Sequence, residues 1–229
     1  MNNIIKGVLY SISYFSTLPV KLKYFDANDQ FYKGVVVGLP IVGFIIGLLL
    51  VILNIILPYP AIYNSIVVSI LYPFFYGFIH LEAVGDTIDA YFSSFGKKDT
   101  YSIIKEPQIG SIGAVGMFSF LILKILALSY LLYLEQYFII IFTMILSRGS
   151  IYFTLDLEYH KKSSFIRSLQ QSIKPNMIIK LIFLPVSLLS KSIQTYLQKK
   201  IGFINGDTLG FSIELQEIIY LNIGLMFVV

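Results

Sequence analysis

The chain has 229 residues, of which 56% are hydrophobic and 13% charged, and its mean hydropathy is +0.78. A soluble domain carries about 25% charged residues. This balance, with uncharged runs of about twenty residues, predicts an all-α integral membrane protein and excludes a water-soluble globular domain and a β-barrel of short alternating strands. The net charge is +4 and there is no cysteine. Disulfides, thiolate metal sites and cysteine catalysis are therefore excluded. In a membrane protein the basic excess belongs to topology, and nucleic acid is not an expected partner.

Residues 1–34 open with Ile4, Ile5, Val8, Leu9, Ile12 and Phe15 at helical spacing, with Ser11 and Ser13 off that stripe. This predicts an amphipathic helix that lies on the membrane or docks onto the bundle. Leu18-Pro19-Val20 ends it. No small-residue cleavage site follows a short apolar run, so no removable signal peptide is expected. Lys6, Lys21, Lys23 and Lys33 place this end on the cytoplasmic side. Residues 35–57 carry no charge and form the first expected span. Gly38, Gly43 and Gly47 suit close helix packing, and Pro40 suits a kink. Pro58-Tyr59-Pro60 is a tight outer turn, and 61–81 is the second expected span.

That span delivers His80-Leu81-Glu82-Ala83-Val84-Gly85-Asp86-Thr87-Ile88-Asp89-Ala90 to the cytoplasmic face. Glu82, Asp86 and Asp89 are spaced i, i+4, i+7, so on a helix they share one face within roughly 60°. Three like charges on one face call for a neutralising cation. A divalent metal holding a phosphate-bearing substrate is one reading, and a solvated helix face at a membrane exit is the other. A polar segment follows to residue 110. Gly110, Gly113 and Gly116 then stand at the start of the next expected span, where they admit another backbone or a phosphate.

Residues 117–134 form the third expected span, with Lys124 near its middle. A lysine at that depth faces a partner or a wet cavity. Residues 137–155 form the fourth and contain Arg148, one of two arginines. Its planar guanidinium suits a carboxylate or a phosphate; pairing with an acid of the bundle and a functional contact explain it equally well. Residues 156–176 are polar, and His160 is expected to be solvated there. Residues 177–190 are apolar but short, with basic flanks, which fits a re-entrant or interfacial hairpin better than a crossing. Residues 191–200 are basic. Asn205-Gly206-Asp207 is strong turn chemistry and opens the last apolar segment, 209–229, which holds Glu214 and Glu217. Asp207 and Glu214 lie seven apart on one helix face. Acids at the start of a membrane helix are functional candidates. In all, the pattern predicts one domain over 1–229: a polytopic bundle of about five to seven membrane segments with its site on the cytoplasmic side.

Taken together, these motifs resemble the cobalamin synthases, the adenosylcobinamide-GDP ribazoletransferases, in order and nearly end to end. Tyr14-Phe15-Ser16-Thr17-Leu18-Pro19-Val20 is similar to the family's Phe-Leu-Thr-Arg-Leu-Pro-Val opening, and Gly38 to Gly43 to its Phe-Pro-Leu-Val-Gly element. His80 to Ala90 is similar to His-Leu-Asp-Gly-Leu-Ala-Asp-Thr-Ala-Asp-Gly. Lys105 to Gly113 is similar to Lys-Asp-Ser-Arg-Ile-Gly with a second glycine. Lys124, Ser147-Arg148, and Asn205 to Gly210 with Glu214 complete the series. Departures are Glu82 for Asp, Ala83 and Ala90 for Gly, Asn205 for Thr, Glu106-Pro107-Gln108 for Asp-Ser-Arg, and a shortened 156–200.

The resemblance implies attack of an α-ribazole hydroxyl, free or as its 5′-phosphate, on adenosylcobinamide-GDP with release of GMP. It implies Mg²⁺ held by Glu82, Asp86, Asp89, Asp207 and Glu214. His80 or one of the carboxylates, Asp86 or Asp89, would act as general base, with Lys105, Lys124 and Arg148 on phosphate or corrin amides. It further implies a multi-pass protein of the cell (inner) membrane, among the other enzymes of nucleotide-loop assembly. The alternatives are a CDP-alcohol phosphatidyltransferase-like enzyme, whose fuller Asp-Gly…Ala-Arg pattern is absent, and a small ion-coupled transporter, for which no inverted repeat appears. A purely structural subunit leaves the acids unexplained.

Overall fold

Helix is the only regular structure in the computed structural model, which describes residues 2–21, 26–96, 99–104, 108–160 and 163–228. The helices are α1 (Asn3–Phe15), α2 (Asp29–Ile56), α3 (Ala61–Phe75), α4 (Ile79–Ser94), α5 (Thr100–Ile104), α6 (Ser111–Tyr133) and α7 (Tyr137–Gly149). After a 3₁₀ turn at Ser150–Thr154 come α8 (Ser164–Ser172), α9 (Met177–Ile182), α10 (Leu184–Ile201) and α11 (Gly206–Met226). By length and composition α2, α6 and the segment Tyr137–Thr154 can each cross a membrane, and the bent pair α3–α4 makes a fourth if counted as one span. α11 has 21 residues, about 31 Å at the helical rise.

The outward surface supports the membrane reading. Along α2, Val37, Phe44, Leu48, Ile52 and Ile55 are exposed on one stripe, as are Phe118, Ile122, Leu126 and Tyr133 on α6. Contiguous apolar area of this kind is a liability in water and costs nothing against lipid tails.

Tight helix pairs are made by small residues. A Cβ on Gly7 of α1 would collide with the Phe31 carbonyl, and one on Gly34 with the Ile4 carbonyl. Ser11 Oγ donates to the Val35 carbonyl at 2.8 Å. α1 therefore docks onto α2 by its Gly7–Ser11 face, and Ile4 and Ile5 of the apolar stripe point outward. The stripe that the periodicity picks out packs only at its C-terminal end, where Ile12 and Phe15 join the core; the closest contact is on the Gly7–Ser11 face, because helix–helix contact in lipid is won by close backbone approach rather than by apolarity. Gly43 does the same for α2 against α7, where a Cβ would strike the Met144 carbonyl.

The expected second span, 61–81, is broken. Gly77 (φ +62°) and Phe78 (φ +60°) are left-handed. Phe78 N–H donates to the Pro73 carbonyl at 3.1 Å and Gly77 N–H to the Phe74 carbonyl at 3.2 Å. This 6→1 and 5→2 pair is a Schellman end to α3, and α4 leaves at 78° to it. The acidic cluster thus lies on a separate helix. The segment after α1 closes over the break through Thr17 N–H on the Phe75 carbonyl at 2.9 Å. Residues 177–190 are not one helix: α9 ends at Phe183 (φ −105°, ψ 38°) and α10 begins with Pro185 in its first turn.

Candidate functional site

Two helices build the site. α11 begins at a capping box: the Asn205 side chain accepts from Thr208 N–H, and Thr208 Oγ1 accepts from Asn205 N–H, both at 3.0 Å. Asn205 also donates through Nδ2 to Asp207 at 2.6 Å. The turn chemistry seen in the sequence is this cap, and it holds Asp207 in the first turn, where the helix dipole favours an anion. Three residues after Asp207, Gly210 lets α4 approach. A Cβ there would stand 2.7 Å from the Ala83 Cβ and 3.5 Å from His80 Nδ1.

This approach aligns two stripes, residues 79, 82, 83 and 86 on α4 and residues 206, 209, 210 and 213 on α11, around a cavity of about 420 Å³. His80, Glu82, Asp86 and Asp207 all line it. Its remaining wall is apolar and includes Tyr14, Phe15, Leu39 and Phe165. Two motifs more than a hundred residues apart therefore meet at one cavity. His80 is 4% exposed, stacked between Phe15 (6.2 Å) and Tyr76 (5.5 Å). Its Nε2 has no hydrogen-bond partner among the described residues.

Asp89 is placed differently. Its two oxygens accept from Gly110 N–H and Gly113 N–H, each at 2.7 Å. It caps the N-terminus of α6 from a neighbouring helix, satisfying donors that have no intrahelical partner. The Gly110–Gly113 pair is needed because a Cβ on Gly113 would overlap that carboxylate. The close guest foreseen at these glycines is the protein's own aspartate.

Lys124, Arg148 and Glu214 do not line the cavity; they meet below it in a buried charge network centred on Glu217. Glu217 accepts from Tyr72 Oη at 2.6 Å, Lys124 Nζ at 2.6 Å, Arg148 Nη1 at 2.7 Å and Ser147 Oγ at 3.2 Å. Lys124 also pairs with Glu214, and Arg148 Nη2 donates to Tyr72 Oη at 3.0 Å. None of the four charged side chains is more than 1% exposed. The cations expected at substrate phosphate, and the acid expected at metal, here neutralise one another across α3, α6, α7 and α11. In a low-dielectric interior two cations and two anions persist only when paired. The sequence places Glu217 beside Glu214 in the last apolar segment but predicts no role for it in the site. The available signal was its position one turn after Glu214, beside two mid-span cations in need of partners. Lys105 lies outside the described residues. His160 is not simply solvated: its ring stacks on Tyr101 at 4.0 Å.

Among the described residues no three His, Asp or Glu side chains form a cluster that could hold a metal by themselves. The donor chemistry of the cavity nonetheless suits Mg²⁺, a hard cation that takes one or two carboxylates and completes its shell with water and substrate phosphate. Glu82, Asp86 and Asp207 fit a metal shared with substrate. A cage of all five predicted carboxylates does not form, since Asp89 caps α6 and Glu214 pairs with Lys124.

The cobalamin-5-phosphate synthase family profile matches residues 7–225. Among curated proteins, the adenosylcobinamide-GDP ribazoletransferase of Clostridium botulinum (strain Okra / Type B1) is 31% identical over 99% of this chain and 100% of its own length. The protein of the same name from Alkaliphilus oremlandii is 26% identical over 94% and 95%. The one from Treponema denticola is 30% identical over 52% of this chain and 46% of its own. No solved structure matches. A match over nearly the whole chain shows that the chain belongs to the cobalamin-5-phosphate synthase family.

Proposed function

We propose that the chain is an adenosylcobinamide-GDP ribazoletransferase. It would join α-ribazole, or its 5′-phosphate, to adenosylcobinamide-GDP in the last step of nucleotide-loop assembly. The observation that carries this reading is the convergence of the 80–90 and 205–210 motifs on one acid-lined cavity. A ribazole hydroxyl oxygen forms a bond to the cobinamide-side phosphorus, the bond from that phosphorus to the bridging oxygen breaks, and GMP leaves with the bridging oxygen. The hydroxyl proton goes to a base at the cavity wall. We assign that role to a group of the cavity lining, His80 or the Asp86 carboxylate.

Mg²⁺, held by one or two of Glu82, Asp86 and Asp207 together with substrate phosphate, would offset charge on the diphosphate. The apolar wall excludes water from the phosphorus and receives the less polar faces of the substrates. Asp89 acts by fixing α6 against α4, and Lys124, Arg148 and Glu214 by fixing α11, so these are positioning residues. Lys105, in the segment that precedes α6, is assigned to substrate phosphate. The cavity and the N-terminus face the cytoplasm in the inner membrane, where other nucleotide-loop enzymes supply both substrates.

The test uses membranes holding the chain, adenosylcobinamide-GDP, either ribazole form and Mg²⁺, scored for GMP and cobalamin. Product that needs the metal, and that falls by about 100-fold or more in Asp86→Asn, is expected. No product with either ribazole form from folded protein would overturn the assignment.

A further inference from the structure

α9 has no buried residue. Met177, Ile178, Leu181 and Ile182 are 73%, 67%, 59% and 68% exposed, although all four are apolar. A six-residue helix with this surface is not stable in water and is at home among lipid tails. Behind it lies an apolar groove of about 330 Å³, separate from the acid-lined cavity. Its walls include Val37, Pro40, Leu146, Gly149, Phe153 and Phe183. Val37 belongs to the same exposed stripe of α2 as Phe44 and Leu48, so the groove opens where that helix faces hydrocarbon.

Charge stands beside it. Lys180, next to the groove residue Ile179, donates to Asp156 at 2.7 Å, and Lys191 donates to the same oxygen at 2.6 Å. Two ammonium groups on one carboxylate leave a unit of positive charge. Lys174, beside the groove residue Ile173, is exposed as well. An apolar slot open to lipid with surplus cations at its end is complementary to an anionic amphiphile.

We propose that this groove is a binding site for an anionic phospholipid, with an acyl chain between α2, α7 and α9 and the headgroup phosphate at Lys180 and Lys191. Its occupancy would tie α9 to the spanning helices, and it does not depend on the reaction assigned to the cavity.

The experiment is thermal unfolding of the full chain in a neutral detergent, with added phosphatidylglycerol, phosphatidylcholine or soluble glycerol phosphate. Phosphatidylglycerol is expected to raise the melting temperature by about 3 °C or more above the value with phosphatidylcholine. Glycerol phosphate, which lacks the chain, should do nothing. A Lys180→Gln/Lys191→Gln variant should lose the preference for phosphatidylglycerol. A Cβ on Gly149 stands in ordinary contact, 3.7 Å from Pro40, so Gly149→Leu should fill the groove and abolish the response to both lipids. The site is overturned if the two lipids act equally on the parent chain, if glycerol phosphate alone reproduces the shift, if the preference survives in the lysine variant, or if Gly149→Leu responds as the parent does.

Discussion

The cavity and the network beneath it use the same side-chain chemistry for opposite ends. Both draw carboxylates from α11. Asp207, in its first turn, faces the cavity with Glu82 and Asp86. Glu214 and Glu217, two and three turns deeper, are enclosed and matched against Lys124 and Arg148. Depth decides the role. An acid that can reach water or substrate can keep its charge for a ligand, whereas one surrounded by protein and lipid must find its counter-charge inside the fold. A carboxylate motif in a membrane helix is thus not by itself a metal site.

The largest expected effect probes the network. Glu217→Gln leaves Lys124 and Arg148 with one anion between them and should cost about 3–5 kcal/mol, read as a fall in the midpoint of thermal unfolding in detergent. If it melts with the parent, the network is not structural and the contrast with the cavity fails. Next comes the contact that joins the two regions. Gly210→Ala would press a methyl onto Ala83 and should cost about 1–3 kcal/mol. Moving the methyl, in Ala83→Gly/Gly210→Ala, should recover much of that loss; no recovery would mean that the close approach of α4 and α11 is not what sets the cavity.

Asp89 sharpens the comparison from the other side. Asp89→Asn keeps one acceptor for two N–H donors and should lose about 1–2 kcal/mol. A variant that is inactive yet fully stable would instead move Asp89 into the chemistry. The smallest effect lies outside both regions. Burial pushes the Asp156 pKa up, but hydrogen bonds and charge from Lys180 and Lys191 outweigh it and hold the group below the ordinary carboxylate range. Its folded pKa is below its unfolded one, so the stabilisation is present above the unfolded pKa and disappears as pH falls through the folded value. Asp156→Asn should cost less than about 1 kcal/mol at neutral pH, because the pair is partly exposed, and nothing once the parent's carboxyl is protonated. Unfolding midpoints of both proteins across acid pH check this.

Much could be read without coordinates because it depends on short-range rules. Hydropathy determined that the chain is a helical membrane protein, since lipid offers no partner for an unpaired backbone group. Local spacing put Glu82 and Asp86 on one face, and Asn205-Gly206-Asp207 marked the start of α11. The order of motifs identified the family. Other features were decided only in three dimensions. Gly77 and Phe78 turned one expected span into two helices, because a left-handed turn can end a helix that hydropathy reads as continuous. Packing divided seemingly equivalent acids into a cavity pair with Asp207, a cap for α6, and partners for two buried cations. That division depends on which helices lie side by side, and a charge's counterpart is chosen by distance through space, which spacing along the chain does not encode.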